Sequence, residues 1–337
     1  MVTAVEAAEL VTSVSGLDET ELTETLRART GGNPFFLVET ARLLAAEAHD
    51  GPGPSVAGVA AMVPDTVRDV VERRVQRLPD DTQTMLGMAA VAGPGVELAV
   101  LEHATGLAAD RVCTLLEPAV RSGLLVELDD RIGWRFSHAL AQDAVRSTLT
   151  RSNRARLHGA LAEAIEHVHD DDLDQHLDEL AHHSYEAAQA GRGASALRWS
   201  VAAAESAHAH HGHDRASLNW GRALTLLGPG PGADGERYDL LVSLAEDLRL
   251  MGDLDGARTR LEEAIRIARV LGDDERAARA AVVFGGVTLW YWRAYGTTDW
   301  PMVEEVRRLA ATAAGPRYLR AALVDCGRRV RPCPPRP

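Results

Sequence analysis

Ala216, Ala223 and the pair Leu227-Gly228 return about 41 positions later as Ala257, Ala264 and Leu271-Gly272, and a glycine-bearing turn precedes each set, at Gly212 and at Gly252. This internal repeat restricts the chain more than any other feature. A period between about 34 and 47 residues belongs to arrays of paired helices, in which one pair cannot bury its apolar face alone and stacks on the next. Small residues such as alanine suit the crossings, because they let two helices approach closely. Beyond residue 150 the pattern is helical with short polar turns. It predicts a helical arm with a first repeat over 151–228 and tetratricopeptide-like repeats over 229–325. Residues 274–292 read as the first helix of a third repeat.

The composition favours helices as well. Of 337 residues, 46% are hydrophobic and 25% charged, an ordinary globular balance, while aromatics are only 4%. This length predicts two or three packed units. All 36 basic residues are arginine, since no lysine occurs. A P-loop needs G-x-x-x-x-G-K-[ST], with its lysine on the β- and γ-phosphates, so the chain cannot form one and is read as non-enzymatic by itself. No nucleophilic triad or Rossmann glycine fingerprint occurs, which leaves no catalytic residue to name.

The formal charge of -13 opposes an extended nucleic-acid surface. Cys113, Cys326 and Cys333 form no C-x-x-C pair and read as reduced thiols. Glu6 and Glu9 stand where a secretory leader would be positive. The longest apolar run, 281–292, falls short of the roughly 20 residues that a bilayer requires. A cytoplasmic chain with no membrane partner is expected.

Residues 1–48 read as two helical stretches joined by Thr30-Gly31-Gly32-Asn33-Pro34, with Asn33 as N-cap, Pro34 at the first helical position, and Phe36, Leu37, Leu43 and Leu44 on one face. A Gly/Pro-rich linker covers 49–62. Over 63–150 the pattern gives helices at 63–78, 80–92, 96–103 and 108–122, then alternating strands at 124–128 and 132–136 around Asp129-Asp130. Short helices followed by a hairpin make a winged helix. Between Asp80 and Phe136 nine acidic residues face four arginines, and the candidate recognition helix 108–122 carries Asp110 and Glu117 beside Arg111 and Arg121. That is poor material for phosphate contacts, so no direct nucleic-acid binding is expected. The tail 326–337, with four prolines in its last six residues, cannot continue a solenoid and reads as a truncated or frame-shifted frame.

Several local runs carry a family resemblance: Thr30-Gly31-Gly32-Asn33-Pro34-Phe35-Phe36, Val38-Glu39, Arg42-Leu43-Leu44, Val63-Pro64, Arg135-Phe136-Ser137-His138-Ala139-Leu140, Leu180-Ala181-His182-His183, and Gly252-Asp253-Leu254-Asp255-Gly256-Ala257. In this order, from about residue 20 to about residue 325, the chain resembles the STAND ATPases of the large LuxR-type transcriptional regulators. The resemblance implies a mainly α chain: a helical lid remnant over 1–48, a winged helix with one β-hairpin, then a tetratricopeptide-like α-solenoid. The family adds a P-loop core before these parts and a DNA-reading helix-turn-helix after them. The chain itself would hold no cofactor; ATP or ADP with Mg²⁺ belongs to the intact parent. The implied partners are the missing P-loop core and a protein or small-molecule effector on the repeats.

The resemblance makes Gly32, Asn33 and Pro34 auxiliary nucleotide contacts, although Gly-Gly-Asn-Pro by itself is simply a good helix start. It makes His138, with Ser137 as expected N-cap, a sensor of the nucleotide phosphate; Ala139 replaces the family's usual aspartate, and a histidine that merely caps its own helix is an equal alternative. Trp290, Tyr291, Trp292, Tyr295 and Trp300 concentrate the aromatic content, as an effector or partner groove or as core. Histidines cluster at His208, His210, His211 and His213, and at His176, His182 and His183 near Glu179. Glu179-x-x-His182 has a di-metal spacing but no partner motif, so no metal is expected. Two other functional classes fit the same residues: a free-standing repeat scaffold, and the regulatory arm of an ATPase-linked nucleotide cyclase or kinase.

Overall fold

Helices dominate the described residues, as the alanine content and sparse aromatics predict. The computed structural model describes residues 3–15, 26–27, 30, 33–49, 67–188, 191, 193–228, 230, 232–285, 300–312 and 324. Contacts divide the chain into two units, Met1–Val168 and His169–Pro337. No described helix is long and apolar enough to cross a membrane.

In the first unit, α1 (Ala4–Ser15) packs on α2 (Pro34–His49), which packs on α3 (Val67–Gln76). Asn33 starts α2 as its composition predicts: Oδ1 accepts the Phe36 N–H at 3.3 Å, while Pro34 supplies a preset φ. One face of α2 is then buried through Phe36, Leu37 and Leu43, with Phe36 and Leu43 against Val70 of α3.

Next along the chain come α4 (Asp80–Ala92), β1 (Val96–Glu97), α5 (Leu98–Thr105), α6 (Ala109–Arg121), β2 (Leu125–Glu127) and β3 (Gly133–Phe136). The sheet is antiparallel in the order β1-β3-β2. The expected hairpin pairs Leu125 with Phe136 and Glu127 with Trp134, and buries Trp134 and Phe136. The helix expected over 96–103 begins instead at Leu98. Val96 and Glu97 form a third strand, Val96 opposite Trp134 and Glu97 opposite Gly133. The strands approach so closely here that a Cβ at Gly133 would collide with the Val96 carbonyl oxygen. Helix α7 (Ala139–Thr148) packs on α3 and α4, and α8 (Arg151–Val168) on α4 and α5. The unit therefore extends through Val168, where the sequence placed the start of the arm at 151.

The second unit opens with a single 3₁₀ turn at Leu173–Gln175 and continues as α9 (Leu177–Ala188), α10 (Gly193–Ala209), α11 (His213–Leu227), α12 (Asp234–Leu250), α13 (Leu254–Val270), α14 (Asp274–Gly285) and α15 (Trp300–Thr312). Each helix packs on the next in sequence. The repeated alanines, Ala216 and Ala223 on α11 and Ala257 and Ala264 on α13, are all fully buried, sharing a core with Trp220, Leu241, Leu261 and Val303.

The turns repeat too. Between α10 and α11, Gly212 N–H reaches the Ala207 carbonyl at 2.8 Å and His211 N–H that of His208 at 3.0 Å. Between α12 and α13, Asp253 and Gly252 make the same pair of bonds to Leu248 and Arg249, at 2.9 and 3.1 Å. This is a Schellman helix end, and it places one residue in the left-handed region: Gly252 at φ 86 in the second turn, His211 at φ 60 in the first. The α13–α14 turn repeats the pattern with Gly272 at φ 68.

Candidate functional site

Of the nucleotide contacts read from the sequence, Gly32 lies outside the described residues, whereas Asn33 and Pro34 are exposed at the start of α2. His138 is also exposed, immediately before α7. It is itself the N-cap, where Ser137 was expected, because Nδ1 of His138 accepts the Leu140 N–H at 3.3 Å. Ser137 turns elsewhere: its hydroxyl donates to the Gly123 carbonyl at 2.8 Å.

That carbonyl is a junction. Arg42 of α2 donates to it through Nη1 at 3.3 Å, so one peptide oxygen receives a side chain from the helix that begins at Pro34 and another from the residue preceding His138. Gly123 occupies the left-handed region at φ 73, and a Cβ there would stand 2.9 Å from Arg42 Nη1. Any larger residue would therefore push Arg42 away while straining the backbone. Arg42 also pairs with Glu39 Oε1 at 3.2 Å. Glu39 is buried, as is Arg74 of α3, and the two form an ion pair; Arg74 also donates to the Ser122 carbonyl. Burial pulls the Arg74 guanidinium down to about 10. Thus α2, α3 and the end of α6 are held by charge-assisted bonds around Glu39 and Gly123. The roles of Glu39 and Arg42 are not evident from the sequence alone. Their i,i+3 spacing beside an otherwise apolar face was the available signal; nothing local points to Arg74.

Between α4 and β3, Arg111, Arg121 and Arg131 each face a carboxylate of the same segment: Asp81 at 3.0 Å, Glu117 at 3.4 Å and Glu97 at 2.8 Å. Such exposed pairs add little stability, but they offset the positive charge that a phosphate would need.

In the arm, the aromatic groove residues Trp290, Tyr291, Trp292 and Tyr295 lie outside the described residues, while Trp300 begins α15 and is 43% exposed. The histidines separate. His176 meets Glu179 at 3.3 Å, and His182 meets Arg222 at 3.4 Å. His210 bonds the Ser206 carbonyl at 2.8 Å. His208 and His213, in contrast, converge on the buried Asp247 of α12, at 2.8 and 2.7 Å from the same carboxylate oxygen. Asp247, more than thirty positions from either histidine, had no counterpart in the sequence reading.

No protein-family model matches this chain, and no curated protein matches it. Among solved structures it is similar to the crystal structure of a Signal Transduction ATPase with Numerous Domains (STAND) protein with a tetratricopeptide repeat sensor from Pyrococcus horikoshii. The identity is 10% and the TM-score 0.37, over 97% of this chain and 50% of that one. The chain spans about half the length of that protein.

Proposed function

We propose that this chain is the regulatory and interaction portion of an ATP-dependent, LuxR-like transcriptional regulator of the STAND type. The first unit senses nucleotide state through Asn33, Pro34 and His138, and the helical arm binds a protein or small-molecule effector. The observation that carries this reading is the Gly123 carbonyl, shared by Arg42 of α2 and by Ser137 next to His138. A nucleotide that draws Pro34 and His138 onto a P-loop core would act on both sides of that junction. Hydrolysis belongs to the core, because this sequence has no lysine to place on the phosphates. Paired arginines and the acidic charge leave DNA reading to another domain of the parent.

Isothermal calorimetry tests the reading. With ATP or ADP, with or without Mg²⁺, the chain alone should give no heat. Joined to a P-loop core in the parent protein, ADP should be retained, and Pro34→Ala and His138→Ala should each weaken retention. Unchanged retention in both variants, or saturable nucleotide binding by the chain alone, would overturn it.

A further inference from the structure

Asp247 stands in the last turn of α12 and is 0% exposed. A helix C-terminus carries partial negative charge, so both burial and the helix itself oppose a carboxylate there. Among the described residues, its partners are one indole and two imidazoles. Trp220 Nε1–H donates to Oδ2 at 2.9 Å, while Nδ1 of His208 and Nδ1 of His213 approach Oδ1 at 2.8 and 2.7 Å. No guanidinium reaches it among those residues. A metal cation at the corner shared by the two imidazoles and Oδ1 offsets the cost of burying a carboxylate there.

We propose that His208, His213 and Asp247 bind one divalent transition-metal ion, zinc being the best chemical fit, and that the ion clips the α10–α11 turn to the end of α12. Two imidazole nitrogens and one carboxylate oxygen form a donor set suited to zinc, with a fourth position left for water. The three ligand atoms already lie within 4.8 Å of one another. Zinc bonds of about 2.0–2.2 Å hold tetrahedral ligands about 3.3 Å apart, so each nitrogen must withdraw from Oδ1 by about half an ångström, while the two nitrogens, now within 4.8 Å of each other, settle to the same spacing. His208 lies in the last turn of α10 with its side chain 42% exposed, which gives both the freedom for that shift and an entry path for the ion. Each histidine binds through Nδ1, which leaves Nε2 to carry the ring proton. Trp220 anchors Oδ2 and leaves Oδ1 to the metal.

The turn between the two histidines supplies an independent observation. Its left-handed residue is His211, at the place that Gly252 and Gly272 fill in the other two turns of this pattern described in the second unit. The register that equates His211 with Gly252 sets Arg249 and Leu254 against His208 and His213. The His-His-Asp grouping is therefore not a packing device that the repeat requires. The His211 ring, with its centroid 6.0 Å from that of His213, adds a further imidazole beside the site. This proposal departs from the sequence-based expectation of no metal and stands independently of the nucleotide reading.

The test is calorimetry of the chelator-treated full chain with Zn²⁺, paired with Co²⁺ titration followed by visible absorption. One equivalent per chain, Co²⁺ bands of a low-symmetry site and a raised melting temperature are expected. His208→Ala should abolish all three, and His210→Ala should leave them intact. Asp247→Asn is a buried change that can unfold the arm, so the surface variant His208→Ala carries the decision. Absence of saturable binding to a folded chain, or binding unchanged in both His208→Ala and His213→Ala, would sink the proposal.

Discussion

Glu39 is the most deeply buried charged residue described in the first unit. It is buried between Arg74 and Arg42, so replacing it strands a guanidinium that burial has already pulled down to about 10. Breaking one side of a buried pair costs about 3–5 kcal/mol, much of it the desolvation of the charge left behind. Glu39→Gln should lower the stability of the first unit by that amount, read as a reduced denaturant midpoint with an unchanged slope. The sequence disclosed residues of this kind unevenly. Asn33 was legible as a cap because a cap depends on the next three residues alone. His138 was legible as a helix start, yet its neighbour Ser137 was misassigned, since its hydroxyl partner at Gly123 is fourteen positions away. Asp247 was not legible at all: its chemistry arises only when α10, α11 and α12 meet.

At the level of elements, local periodicity revealed the hairpin and the repeated helices, while β1 escaped because two residues cannot display an alternation. The last described helix depends on charge. Glu305 of α15 bonds Arg308 of its own helix and Arg269 of α13, at 2.9 Å to each. The hydrogen bond from Arg308 foremost, then that from Arg269, holds the Glu305 carboxyl below its ordinary value of 4.5. A depressed carboxylate contributes stability above the ordinary value and loses it as pH falls through the folded one. Acid should therefore loosen α15, and Glu305→Gln should flatten the decline in melting temperature below about pH 4.5. Tyr238 acts at the opposite end of the scale. Burial, reinforced by Asp239, pushes its phenol up from 10.0 to about 12. The neutral hydroxyl donates to the Arg276 carbonyl at 2.6 Å, tying α12 to α14. Here the stability is complete below pH 10 and is lost as pH rises towards 12. Tyr238→Phe should cost about 1 kcal/mol at neutral pH and remove that alkaline decline, as followed by circular dichroism.

For the molecule as a whole, the charge of -13 is the dominant long-range term. A gel-shift titration at physiological salt should find no retained duplex DNA, since a net charge of -13 opposes the phosphate contacts that drive counterion release. The arm has a second global property, which follows from its turns. One joint, with its two backbone hydrogen bonds and one left-handed residue, serves between α10 and α11 and again between α12 and α13, about 41 residues on. Copying residues 212–252 in register would reproduce every joint intact, whereas a shorter or longer insertion within a helix would rotate each later alanine off its crossing. The reach of such an arm is therefore quantised, and evolution can lengthen it only in whole steps.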